Sequence, residues 1–177
     1  MTDRIVEEED FDWGRDEPKH RALDSDVFHE PAKLLARREP ITIGETATVE
    51  SAIELMREHR IGCLLVTRDE HLVGIFTERD VLYRVVAERR DARMTKVGDV
   101  MTEDPESLPA DAEIAWAVNR MSLGGFRHVP LVDEEGRPVG ILSVKDVVNY
   151  LAEFFPDEVM KLPPRPGLDV PRTREGG

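Results

Sequence analysis

The sequence predicts an α/β fold in which two β-α-β-β-α repeats pack about a pseudo-twofold axis. Two observations lead there. The first is internal duplication. Shifted by 66 positions, residues 61–82 (IGCLLVTRDEHLVGIFTERDVL) lie without a gap over residues 127–148 (RHVPLVDEEGRPVGILSVKDVV). Val73-Gly74-Ile75 then matches Val139-Gly140-Ile141, Thr77 matches Ser143, and Asp80 matches Asp146. The second is a change of hydrophobic period inside each copy, from helical spacing to apolar strand runs.

Each element is justified in chain order. A short strand, 41–43 or 107–108, opens the repeat. Here the shift is 65: Pro40-Ile41-Thr42-Ile43 matches Pro105-Glu106-Ser107-Leu108. An amphipathic helix comes next, with Val49, Ala52, Ile53 and Met56 matched by Ile114, Ala117, Val118 and Met121. The one-residue change of shift is assigned to the loop at Leu123-Gly124-Gly125. An apolar strand comes after it, CLLV (63–66) or VPLV (129–132). A polar turn, Arg68-Asp69-Glu70 or Asp133-Glu134-Glu135-Gly136, returns the chain into 72–76 or 138–142, which makes a hairpin. A second helix begins at Thr77 or Ser143. One such unit buries too little surface to be securely stable alone, so the two repeats form one module.

The flanks differ in kind. Residues 1–30 carry eleven acidic residues against four lysines and arginines. No period runs through them, so they read as an acidic tail that stays mostly disordered. Phe11, Trp13 and Phe28 give that tail apolar groups that could dock on the folded part or on a partner. Residues 31–98 make the first repeat with a short leading helix, PAKLLARRE, opened by Pro31. Residues 99–155 make the second. Residues 156–177 hold five prolines and read as an extended tail.

The residues that bear chemistry sit where each hairpin enters its second helix. Thr77-Glu78-Arg79-Asp80 and Ser143-Val144-Lys145-Asp146 share the pattern hydroxyl, any residue, cation, acid. Helix capping explains the hydroxyl and the acid three residues on. It leaves Arg79 and Lys145 unexplained, because a cation in the first helical turn is mildly unfavourable. Ligand binding uses all three groups: a hydroxyl for phosphate or ribose, a carboxylate for a ribose diol, a cation for phosphate. Both readings stay open on the residues alone.

The text around these motifs, VGIFTERDVL (73–82), DVMTEDPESL (99–108) and RHVPLVDEEGRPVGILSVKDVV (127–148), resembles the cystathionine beta-synthase (CBS) domain. That domain occurs in tandem pairs, and the resemblance covers residues 40–155. It implies a CBS-domain pair with two clefts between the repeats. Adenosine derivatives would bind there: AMP, ADP or ATP, with S-adenosylmethionine or an NAD-type dinucleotide as further possibilities. By resemblance, Asp80 holds the ribose in one cleft, with Thr77, Ser107, His128, Val129 and Pro130 about it. Asp146 and Ser143 do so in the other, with Thr42, Gly62, Cys63 and Leu64. Lys145 would serve the phosphate of the Asp80 cleft and Arg79 that of the Asp146 cleft. Arg127, His128 and Lys145 put more cations at the Asp80 cleft, which is therefore expected to be the tighter site.

Composition narrows the alternatives. The 177 residues carry 24 lysines and arginines against 37 aspartates and glutamates, a formal charge of -13. Such a surface repels nucleic-acid backbones. No stretch approaches the roughly 18 apolar residues of a membrane span, and the acidic start is no signal peptide, so a cytoplasmic protein is expected. The single cysteine, Cys63, excludes an internal disulfide and a multi-cysteine zinc site. It reads as a small buried strand residue rather than a nucleophile. His20, His29, His59, His71 and His128 lack metal-ligand spacing. The expectation is therefore a regulatory binding module, not an enzyme, with no required cofactor or metal. Its partners would be an adenosine-type small molecule, a second copy of the chain and a regulated protein of unknown identity. The alternative is an adaptor that binds no ligand and works through its acidic tail.

Overall fold

The computed structural model describes residues 25–36 and 38–155; the readings for residues 1–24 and 156–177 lie outside them. Repeat 1 runs β1 (Thr42–Gly44), α1 (Val49–His59), β2 (Cys63–Arg68), β3 (His71–Thr77) and α2 (Glu78–Asp80), which continues as a π-helical stretch over Val81–Val86. After a 3-10 turn at Val97–Asp99 come β4 (Thr102–Glu103), β5 (Leu108–Pro109), α3 (Ile114–Gly124), β6 (His128–Val132), β7 (Pro138–Ser143) and α4 (Val144–Ala152). The strands form one sheet in the order β1-β2-β3-β4 and another in the order β5-β6-β7. In each, the opening strand runs parallel to the hairpin's first strand, and the hairpin is antiparallel. No helix among the described residues is long and apolar enough to cross a membrane.

The helices form where the sequence supplies caps and an apolar stripe. The Thr48 hydroxyl accepts the Ser51 N–H at the start of α1. α1 ends at Arg60 and α3 at Gly125, both in the left-handed region, a conformation that glycine adopts without steric cost. Val49, Ala52 and Met56 bury one face of α1, and Ile114, Ala117 and Met121 bury that of α3.

The repeats exchange their leading segments. Ala32 N–H donates to Ala112 O at 2.7 Å and Lys33 N–H to Ala110 O at 3.1 Å. Sixty-five residues on, Val97 N–H donates to Ala47 O at 2.8 Å and Gly98 N–H to Glu45 O at 2.9 Å. Ala32 and Leu35 therefore close the core of repeat 2, while Val97, Val100 and Met101 close that of repeat 1. The leading segment grouped with 31–98 along the chain packs in space on the second repeat. It is a single 3-10 turn, Ala32–Leu34, rather than a nine-residue helix. Two apolar anchors three residues apart need no more, and Pro40 bars the helix from running on. Residues 25–30 depart from the disordered reading too. They include a 3-10 turn, Ser25–His29, with Val27 in the repeat 2 core and Phe28 packed against it. Averaging charge over thirty residues hides one local apolar pair.

The register of the hairpins corrects the alignment of the repeats. Cys63 pairs with Thr77, Leu64 with Phe76 and Leu65 with Ile75. His128 pairs with Ser143, Val129 with Leu142 and Pro130 with Ile141. Cys63 is thus equivalent to His128, not to Val129. The shift of 65 persists through β6, and the extra residue sits in the second hairpin turn, where Gly136 has φ 80°. Leu64, Val66 and Phe76 face the helices in one core, as Val129, Leu131 and Leu142 do in the other. Leu65 and Ile75 are buried but belong to neither core cluster, so they lie on the face turned from the helices. Strand alternation puts Pro130 on the corresponding face of repeat 2. The two hairpin turns touch: Leu72 N–H donates to Gly136 O at 3.0 Å.

Candidate functional site

Twin capping boxes stand at the two strand-to-helix junctions. In repeat 1, Asp80 Oδ2 accepts from Thr77 N–H at 2.8 Å and from Thr77 Oγ1 at 2.7 Å, and Asp80 N–H donates back to Thr77 Oγ1 at 3.3 Å. In repeat 2, Asp146 Oδ2 accepts from Ser143 N–H at 2.8 Å and from Ser143 Oγ at 2.6 Å, with Asp146 N–H returning to Ser143 Oγ at 3.3 Å. Capping therefore occupies one oxygen of each carboxylate and leaves the other for further work.

The second oxygens differ. Arg84 Nη1 lies 3.4 Å from Asp80 Oδ1 and also donates to the carbonyls of Val100, at 3.1 Å, and Met101. Asp80 is only 6% exposed. Position 150 is the counterpart of Arg84, and there Tyr150 donates to Glu30 Oε2 at 2.7 Å instead. Asp146 Oδ1 has no protein partner among the described residues, and Asp146 is half-buried.

The charge of Asp146 is felt across the repeat boundary. Burial first, then the carboxylates of Glu78 and of Asp146, push the Cys63 thiol up to about 12. At neutral pH the thiol carries essentially no thiolate and is inert. Burial holds His128 below the ordinary histidine value; neighbouring Arg127 lowers it further, and Asp146 opposes the shift. His128 is thus a neutral imidazole at pH 7, a donor and acceptor rather than the phosphate-binding cation expected of it. Its shift owes nothing to Asp80.

The other candidates fall into three groups. Thr42, Arg79, Ser107, Arg127 and Lys145 are exposed. Leu64 and Val129 are fully buried in the helix-packed cores, so their side chains do not line a cleft. Consecutive strand residues point to alternate faces; those on the sheet faces away from the helices are Cys63, Leu65, His128 and Pro130. Gly62 lies under the Glu78 carboxylate, whose Cδ is 3.2 Å from the place a Cβ would take. Sequence reasoning missed Glu78 and Arg84. Arg84 had a signal, a cation four residues after an acid on one helix.

Two hollows lie elsewhere. One, of about 550 Å³, is lined by Glu45, Arg68, Lys96, Asp99 and Glu103 among others; the second, of about 340 Å³, by Arg57, Arg60, Gly62, Glu78 and their neighbours. Neither contains Asp80 or Asp146.

The family model described as "CBS domain" matches twice, over residues 32–87 and 97–153. The chain is 32% identical over 120 residues to the mitochondrial CBS domain-containing protein CBSX3 of Arabidopsis thaliana, a match over 65% of this chain and 58% of that protein. The chain therefore spans a little over half the length of that relative. Among solved structures it resembles the CBS-domain containing protein ATU1752 from Agrobacterium tumefaciens, at 31% identity and a TM-score of 0.61 over 68% of this chain and 98% of that one. It also resembles the CBS domain protein PAE2072 from Pyrobaculum aerophilum complexed with AMP, at 27% identity and a TM-score of 0.62 over 69% of this chain and 98% of that one.

Proposed function

The chain belongs to the CBS-domain family, and from that premise we propose that it is a regulatory module which binds an adenosine nucleotide beside Asp146. The observation that carries this is the Asp146 carboxylate. One oxygen is fixed by Ser143, the other has no partner among the described residues, and Cys63 of the opposite repeat senses its charge. A carboxylate so fixed is preorganised to accept the two hydroxyls of a ribose. Neutral His128 supplies a hydrogen bond, and exposed Arg79 supplies charge for phosphate. AMP is the leading ligand, because a relative with the same fold was solved with it. ADP, ATP, S-adenosylmethionine and NAD-type dinucleotides share its ribose. The module binds rather than transforms its ligand, and bound nucleotide biases the geometry between repeats or between subunits. Calorimetric titration of the full chain with AMP, ATP, S-adenosylmethionine and NADH tests it. Saturable heat with AMP is expected. Silence with all four would leave the adaptor role.

We also propose a homodimer formed through the second helices. Leu82 and Val148, equivalent positions in the two repeats, are 56% and 57% exposed, and Val86 and Phe155 extend the apolar surface. A face repeated about the module's own pseudo-twofold is suited to meet a second copy isologously. Val85, Val147, Tyr150 and Phe154, in the same segments, are buried in the cores and do not contribute to it. Sedimentation equilibrium should give a dimer that Leu82→Glu with Val148→Glu converts to monomer. A wild-type monomer would refute the interface.

A further inference from the structure

We propose that Arg84 is a latch that keeps Asp80 closed to ligand, so that the chain takes one nucleotide, at Asp146, unless the latch is opened. The latch rests on nucleotide binding at Asp146 and adds its stoichiometry and the residue that sets it. The two capping boxes match hydrogen bond for hydrogen bond. The difference lies one helical turn on, at equivalent positions 84 and 150. Both side chains tie their helix to an exchanged leading segment: Tyr150 to Glu30, Arg84 to the carbonyls of Val100 and Met101. In repeat 2 a phenol makes that tie. A guanidinium makes it with a nitrogen that also meets Asp80 Oδ1 at 3.4 Å.

Burial and charge give the consequence. Oδ2 is taken by Thr77, the Arg84 guanidinium stands 3.4 Å from Oδ1, and Asp80 is almost fully buried, so a ribose diol has no open approach to the carboxylate. A guanidinium has no acceptor lone pair with which to replace it. The carbonyls of Val100 and Met101 both accept from Nη1 and hold the guanidinium in place beside Asp80. The helix beneath it is π-type over Val81–Val86, with Ala87 N–H donating to Leu82 O at 3.0 Å. Such widened turns are places where a helix can shift its register. Opening the latch would also release the carbonyls of Val100 and Met101, in the segment that closes the repeat 1 core.

The test is calorimetric titration of the full chain with AMP. Wild type should bind one equivalent. Arg84→Gln should bind two, while Arg84→Lys keeps one. Asp80→Asn, which preserves shape and does not depend on the Arg84 variants folding, should leave affinity within twofold and stoichiometry at one. Two equivalents in wild type, one in folded Arg84→Gln, or a tenfold loss of affinity in Asp80→Asn would overturn the latch and leave nucleotide binding standing. No heat with AMP in wild type and Arg84→Gln alike would overturn both.

Discussion

Asp146→Ala is expected to lower nucleotide affinity at least a hundredfold while leaving the chain folded. A carboxylate that accepts two ribose hydroxyls contributes hydrogen bonds to a charged group, worth about 1.5–3 kcal/mol each when one partner is deleted. Two such bonds correspond to roughly a hundredfold to ten-thousandfold in Kd. The structural cost is smaller. Asp146 sits at the third position of α4 and accepts two hydrogen bonds from Ser143, so its loss removes half a capping box, about 1 kcal/mol. The two effects separate in paired measurements. Calorimetry should lose the binding isotherm, and thermal unfolding should shift by only a few degrees. Asp146→Asn sharpens the test, because the amide oxygen can still accept from Ser143 while the charge is gone. Affinity unchanged in Asp146→Ala would remove Asp146 from the site and with it the basis of the nucleotide reading.

The duplication, the order of elements and the two capping boxes were legible in the sequence, because helix periods, turn residues and N-caps are local signals. What was not legible was long-range or finely registered. CLLV and VPLV are continuous apolar runs with no alternation to fix which face points where. The identities from Val73 to Asp80 lie after the turn, and before it Leu65-Val66 falls by coincidence over Leu131-Val132, so an extra residue inside the turn leaves no mark and the strand before it slips by one. The expected cleft walls, 62–64 and 128–130, are consecutive residues, which take in both faces of a strand, so Leu64 and Val129 of the cores were included with them. The exchange of leading segments is hidden for another reason. Chain order groups 31–36 with repeat 1, whereas Ala32 and Leu35 find their apolar partners beyond Ile114. The local charge pattern is also incomplete: beside Arg127 and Lys145, burial makes His128 neutral, and Arg84, four residues along the helix, stands 3.4 Å from Asp80.

That exchange gives the second large effect. Phe76→Ala should cost about 3–5 kcal/mol, the range for emptying a fully buried phenylalanine site. Phe76 is completely inaccessible in the repeat 1 core, together with Val49 and Ala52 of α1 and with Val97 and Val100 of the exchanged segment. A loss of that size is a large share of the 5–15 kcal/mol by which domains are stable, and in urea it moves the midpoint by roughly 2 M. More telling is where the loss is read. Trp116 lies in α3, on repeat 2, and with Trp13→Phe as background it is the one tryptophan left. Because residues 25–36 close repeat 2 and residues 97–101 close repeat 1, neither core is complete without chain that belongs in sequence to the other. The cavity made in repeat 1 should therefore lower the midpoint seen by Trp116 as much as the one seen by circular dichroism, with the two curves superimposed. A Trp116 transition left at its wild-type midpoint would mean that repeat 2 stands by itself, and that the exchanged segments pack on their cores without coupling them.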